Sequence, residues 1–132
     1  MPPLGALPTA AAATRSHART VLKAWGVGRE LTDDVATVVS ELVTNSVNAS
    51  TGPDGRPLYV DGRMLLVWLR LSTDGTTLRA EVWDEAPGVP ARRAAGGDDV
   101  SGRGLELVDA LSAGWGWFPA QSGKCSWAEF RL

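Results

Sequence analysis

Glu41 and Asn45 stand four residues apart in the stretch Thr32–Ser50, TDDVATVVSELVTNSVNAS. That spacing stacks a carboxylate against a carboxamide on one flank of a helix. The pair combines a group that can take a proton with an oxygen that can hold a hard cation. A solvated helix surface carries the same residue types, so the pair alone is weak. A second candidate is Trp83-Asp84-Glu85-Ala86-Pro87-Gly88-Val89-Pro90, where a strand should end. Asp84 can accept hydrogen bonds from a ligand and Gly88 lets backbone approach closely, although a simple turn uses the same residues. The third is Ser101-Gly102-Arg103-Gly104-Leu105, a glycine pair opening a helix. Free N–H groups and the helix dipole suit a phosphate there, with Arg103 adding charge; a merely flexible helix start would read alike. Neither the six-residue dinucleotide glycine pattern nor the P-loop pattern is present. Lys124, in Gly123-Lys124-Cys125, reads equally as a phosphate contact or as a lysine blunting a strand edge.

These candidates need elements to hold them. For the helix over 32–50 the expected N-cap is Thr32, with Asp33 and Asp34 in the first turn where the dipole favours negative charge. Val35, Val38, Val39, Leu42, Ser46 and Ala49 share its apolar face, and Thr37, Glu41, Asn45 and Asn48 share a flank. A preceding helix is expected from Ala10 to Trp25, capped by Thr9 and ended by Gly26 and Gly28. Residues 1–9 are Pro-rich and expected to be loose or extended. The segments 64–72 and 77–83 read as strands joined by a turn containing Asp74-Gly75, hence an antiparallel hairpin. Residues 85–101 carry no apolar period and form a long loop of the kind that is usually functional. A helix over 102–113 follows, then strands at 115–118 and 126–132 with Gln121-Ser122-Gly123 in the turn. This order predicts a single α+β domain over 10–132, a two-layer sandwich with helices on one face of a mostly antiparallel sheet.

Composition narrows the partners. In 132 residues the net charge is −2, and no basic stripe suits direct nucleic-acid binding. The lone Cys125 excludes an internal disulfide and a cysteine-based zinc site, and the lone His17 has no companion ligand. No apolar run approaches a membrane span, and the first residues make a poor signal peptide, so a cytoplasmic protein is expected.

Four stretches taken in order carry a specific resemblance: VSELVTNSV, VWDEAPGVP, GRGLELV and SGKCSWAEF. They resemble the N, G1, G2 and final boxes of the GHKL (Bergerat-fold) ATP-binding superfamily. Within it the chain is similar to the single-domain anti-sigma-factor serine/threonine kinase family, actinobacterial branch, over Ala10 to the end. The resemblance implies the Bergerat (histidine-kinase-like ATPase) fold and ATP with Mg²⁺ as cofactors. It implies Glu41 as general base, Asn45 as Mg²⁺ ligand, Asp84 as the contact of the adenine amino group, and Gly88 as a G1 glycine. Gly102 and Gly104 would be the G2 glycines around the phosphates, with Arg103, Leu105 and Lys124 beside the nucleotide, and 85–101 would be the ATP lid. The implied partners are a STAS-type anti-anti-sigma protein and a sigma factor, with a homodimer left open. The sequence departs from the family pattern at Ala86, where a first glycine is usual, at Ala49, where a histidine is usual, and at Cys125, where an adenine-binding threonine is usual. A catalytically weak or inactive ATP-binding interaction module is the alternative, and a histidine-kinase catalytic subunit fits less well. If Asp84 holds adenine, Asp84→Asn should weaken ATP binding by about one to two orders of magnitude and leave the fold intact.

Overall fold

The computed structural model describes residues 1–87 and 100–132. Its sheet grows from the alternation read in the hairpin. β4 (Leu66–Thr73) and β5 (Thr77–Asp84) are antiparallel, with Leu69 opposite Val82 and Leu71 opposite Ala80. At the turn between them the Asp74 carboxylate accepts the N–H groups of Thr76 and Thr77. Those bonds hold its carboxyl below the ordinary range. β7 (Gly123–Arg131) pairs along the other side of β5, and β6 (Gly114–Ala120) pairs outside β7. β1 (Leu4–Gly5) closes the far edge, so the order is β1-β4-β5-β7-β6, antiparallel throughout. The Pro-rich start is thus extended and pinned to β4, and the Ala6 N–H donates to the Leu65 carbonyl.

Among the described residues three helices cover one face: α1 (Thr9–Ala24), α2 (Arg29–Ala49) and α3 (Val100–Leu111). Side chains alternate along a strand. Val67 and Leu69, Leu78, Ala80 and Val82, and Ala128 and Phe130 therefore face the helices together. They join Leu22, Val35, Val38, Val39, Leu42 and Val108 in a single buried core. This is the two-layer α+β sandwich the sequence predicts. None of the helices among the described residues is long and apolar enough to cross a membrane.

Several boundaries differ from expectation. α2 begins at Arg29, with Gly28 as an extended N-cap, so Thr32 lies inside the helix and its hydroxyl donates back to the Val27 carbonyl. The dipeptide Gly26-Val27 is enough to turn the chain. The buried stripe of α2 extends to Ala36, Val43 and Val47, whereas Ala49, at the margin of the stripe and in the last turn, is exposed. The loop after α2 contains a small hairpin of β2 (Tyr59–Val60) and β3 (Arg63–Met64). Its corner is Asp61-Gly62, both at positive φ (51° and 75°), the two-residue geometry that matches strand twist.

Candidate functional site

Asp84 is the last residue of β5, and the sheet register sets Lys124 of β7 directly opposite it. Both point to the helical side, in the row below Val82 and Ser126. The two strands meet closely here: a Cβ at Gly123 would run into the Asp84 carbonyl group. Lys124 Nζ donates to Asp84 Oδ2 at 2.7 Å, and the Ser46 hydroxyl of α2 donates to the same oxygen at 2.6 Å. The Ala86 N–H donates to Oδ1 at 3.1 Å. The Asp84 side chain has 0% and that of Lys124 7% of its surface exposed, and Ser46 is fully buried. An ionised carboxylate offers about four acceptor positions. Three are filled by described residues, which among those residues leaves one on Oδ1.

Lys124 therefore does not blunt a strand edge, because β7 is an interior strand and the side chain is buried. Its ammonium is committed to Asp84. Cys125, its neighbour, lies on the opposite face of the sheet, as alternation requires. There it sits in register with Trp83 and Phe118, which pack edge to face beside the stacked Trp68 and Trp83 rings. Burial, with the nearby Glu81 charge, pushes its thiol up to about 12. The position that departs from the family's threonine is thus turned away from Asp84. Asp61 is the positive-φ non-glycine among the described residues, so Ala86 in place of a glycine carries no backbone strain.

Glu41 lies on the flank of α2, more than a turn before Ser46, and is half-buried against α3. An added Cβ at Gly104 would come within 2.6 Å of Glu41 Oε2, so a larger residue there would push the Glu41 carboxylate out of its present position. Asn45, also half-buried, lies between Glu41 and Ser46. Glu41 and Ser46 are five residues apart, about 7.5 Å along the helix axis. One rigid helix thereby positions a carboxylate next to α3, a carboxamide oxygen, and a hydroxyl bonded to Asp84. Gly102 and Arg103 fall in the first turn of α3, and Leu105 follows Gly104, half-buried. Gly88 and the span 88–99 of the expected lid lie outside the described residues. At the start of that span Glu85 is fixed by Arg63, which donates to both carboxylate oxygens at 2.8 Å, and by the Leu66 N–H. The Arg63 bonds, more than the backbone bond, hold the Glu85 carboxyl below its ordinary value.

Ser46 lies on the apolar face of α2, as expected, and its hydroxyl is bonded to Asp84, a role the sequence reading does not assign. A lone hydroxyl in a Val/Leu stripe was the available signal, since a buried polar group must find a partner. Among the described residues no group of three or more His, Cys, Asp or Glu could hold a metal ion. A hard cation here would rely on Asn45 together with ligand oxygens and water. Two shallow grooves flank Trp25; one is lined by Thr73, Gly75 and Leu78, at the opposite end of the sheet from Asp84.

The family model described as "Histidine kinase-like ATPase domain" matches residues 4–115, ending before β7 and its Lys124. Among solved structures, the chain is similar to the histidine kinase domain from Erythrobacter litoralis EL346 blue-light activated histidine kinase, with a TM-score of 0.58 and 24% identity. The match covers 80% of this chain and 46% of that one, and what it shows is the shared fold. No curated protein matches the chain.

Proposed function

The chain belongs to the histidine kinase-like ATPase family, and on that premise we propose that it is an ATP-binding regulatory protein and a serine/threonine kinase of the anti-sigma-factor type. Its substrate is a STAS-type anti-anti-sigma protein, and it sequesters a sigma factor when that substrate is not engaged. The observation that carries this reading is the arrangement on α2. Ser46 and Asp84 make a buried acceptor site at one end, and Glu41 stands against Gly104 at the other.

The residues fit a nucleotide. The remaining acceptor position on Asp84 Oδ1 takes the adenine amino group. Gly104, with no Cβ, leaves room between α3 and Glu41, and the N–H groups of the first turn of α3, which have no partner within the helix, suit phosphate oxygens. Asn45 is the chain's ligand to Mg²⁺, which when bound neutralises phosphate charge. Glu41 accepts the proton of the partner's hydroxyl as that oxygen bonds to the γ-phosphorus and the bond to the β–γ bridging oxygen breaks, releasing ADP. Phosphoryl transfer asks the protein for positioning and charge neutralisation more than for covalent chemistry, and a base and a metal ligand on one helix supply both. Residues 85–101 act as the lid that excludes water.

The test is single-turnover transfer of labelled γ-phosphate from ATP to a STAS-domain protein. Transfer to serine or threonine supports the kinase reading. ATP binding without transfer to any STAS partner would replace it with the interaction-module reading, and failure to bind ATP would remove both.

A further inference from the structure

We infer that Lys124 is a positioning residue for the nucleobase: with Ser46 it fixes the Asp84 carboxylate so that a single acceptor position, on Oδ1, is offered to a ligand. The inference rests on the reading of Asp84 as the base contact. Two donors from separate elements, Lys124 of β7 and Ser46 of α2, hold one oxygen at 2.7 and 2.6 Å. A carboxylate gripped this way cannot rotate, and the Ala86 N–H takes one of the two positions on the other oxygen. What remains accepts one hydrogen bond and donates none. An amino group such as that of adenine satisfies it, whereas a 6-oxo purine would set a carbonyl oxygen against an ionised carboxylate. The loss of one charge-assisted hydrogen bond corresponds to roughly 10- to 100-fold in affinity.

The ammonium also decides the charge of the acceptor. A buried carboxylate without a counter-ion takes up a proton, because burial disfavours the charged form. Among the described residues, the groups around Asp84 make Lys124 the one to hold that charge. β4 brings Val67 opposite it, and α2 brings neutral Ser46, with Glu41 more than a turn away against Gly104. Glu85, next in the chain, is bonded to Arg63. On the far face of the sheet, Cys125 is neutral, its thiol pushed up to about 12, and Glu81 there is paired with Arg79 and Arg70. Once protonated, the carboxyl of a Lys124 variant becomes a donor, and the preference for an amino group over a carbonyl is lost.

Lys124→Met tests this, with ATP and inosine triphosphate as probes and with urea unfolding of the nucleotide-free protein. In the variant the folded state binds a proton at Asp84 more readily than the unfolded chain does. Its stability deficit against wild type should therefore narrow as the pH falls from about 8 to about 5.5. Over the same range its ATP affinity relative to wild type should fall, approaching tenfold per pH unit where the protonated form dominates; the ratio cancels the titration of ATP's own terminal phosphate. The preference for ATP over inosine triphosphate should shrink from about 10- to 100-fold toward parity. Lys124→Arg should restore a pH-independent ratio to wild type, and Ser46→Ala, the milder change, should erode the preference without making that ratio depend on pH. A stability deficit of the same size at every pH, or an unchanged preference, would overturn the inference and leave Lys124 a packing residue. If wild type binds neither nucleotide, the base-contact reading falls, and the charge-holding role of Lys124 is decided by the nucleotide-free stability gap alone.

Discussion

Asp84→Asn is expected to do more than weaken ATP binding. The sequence alone suggested a fold-neutral change, because it treated the carboxylate as a free ligand contact. In the structure it is fully buried and bonded to a lysine that is itself 7% exposed. Removing one partner of such a pair leaves an uncompensated buried charge and costs about 3–5 kcal/mol. The amide cannot repair this. If its oxygen faces Ser46 and Lys124, its NH₂ meets the Ala86 N–H, donor against donor; flipped, it turns that NH₂ toward two donors instead. Against a typical domain stability of about 5–15 kcal/mol the loss is large. At about 4 °C per kcal/mol for a chain of this size, it should lower Tm by roughly 12–20 °C. The assay is urea and thermal unfolding followed by tryptophan fluorescence, comparing wild type, Asp84→Asn, and Asp84→Asn with Lys124→Met. Neutralising both partners removes the orphaned charge, so the double variant should regain most of the lost stability. If the single variant is as stable as wild type, or the double variant is worse than the single, the pair is not the buried, mutually dependent unit argued here. Any nucleotide titration of Asp84→Asn must then be made where the variant is folded.

Glu41→Gln should lower single-turnover transfer to a STAS-type partner by roughly 10²–10⁴-fold with ATP affinity little changed; equal transfer by both proteins would remove Glu41 from the chemistry. Asn45→Ala should reduce the Mg²⁺-dependent part of ATP affinity more than the metal-free part, which calorimetry with and without Mg²⁺ resolves, and identical Mg²⁺ dependence would sink the metal role. Cys125→Thr should leave ATP affinity unchanged, since position 125 faces Trp83 and Phe118 rather than Asp84; a clear gain in affinity would contradict the sheet register. For Glu85 the folded carboxyl lies below its ordinary 4.5, so its contribution is present above that value and lost as pH falls through the folded value. Arg63→Met should therefore destabilise near neutral pH, and its deficit should fade below about pH 4, measured by urea unfolding at each pH.

Much of this arrangement was legible in the sequence because it is local. The four-residue spacing of Glu41 and Asn45 places them on one flank whatever the fold, and the alternation of Leu78, Ala80 and Val82 gives the inner face of β5. The glycine at 104 marked a helix opening, and the structure adds what it leaves room for: the Glu41 carboxylate lies where a Cβ would go. What could not be read was set by register between distant strands. Nothing local says that residue 124 rather than 125 faces the helices. A one-residue shift flips every side chain to the other face of a sheet, so the choice between Lys124 and Cys125 depends on β5 and β7 pairing with Asp84 opposite Lys124. The start of α2 was misplaced for a different reason. Thr32 with Asp33 and Asp34 is a good capping signal, but Gly28 with its extended backbone caps a turn earlier and the later signal is absorbed into the helix.

The same register ties the two ends of the site to one another. Gly123 lets β7 approach the Asp84 carbonyl, and that approach brings Lys124 level with the carboxylate. Ser46, the third member, is delivered by α2, whose packing on β5 is fixed by Val35, Val39 and Leu42 in the core. α2 then carries Glu41 up against Gly104 of α3. The acceptor site and the proton acceptor thus both depend on a single helix, α2, bonded to Asp84 through Ser46 and set against Gly104 through Glu41. A change at Asp84 that loosened α2 would be felt at Glu41 as well. The geometry of one end is a condition for the chemistry at the other, because a misplacement of about 1 Å in a positioned group costs on the order of 10²-fold in rate.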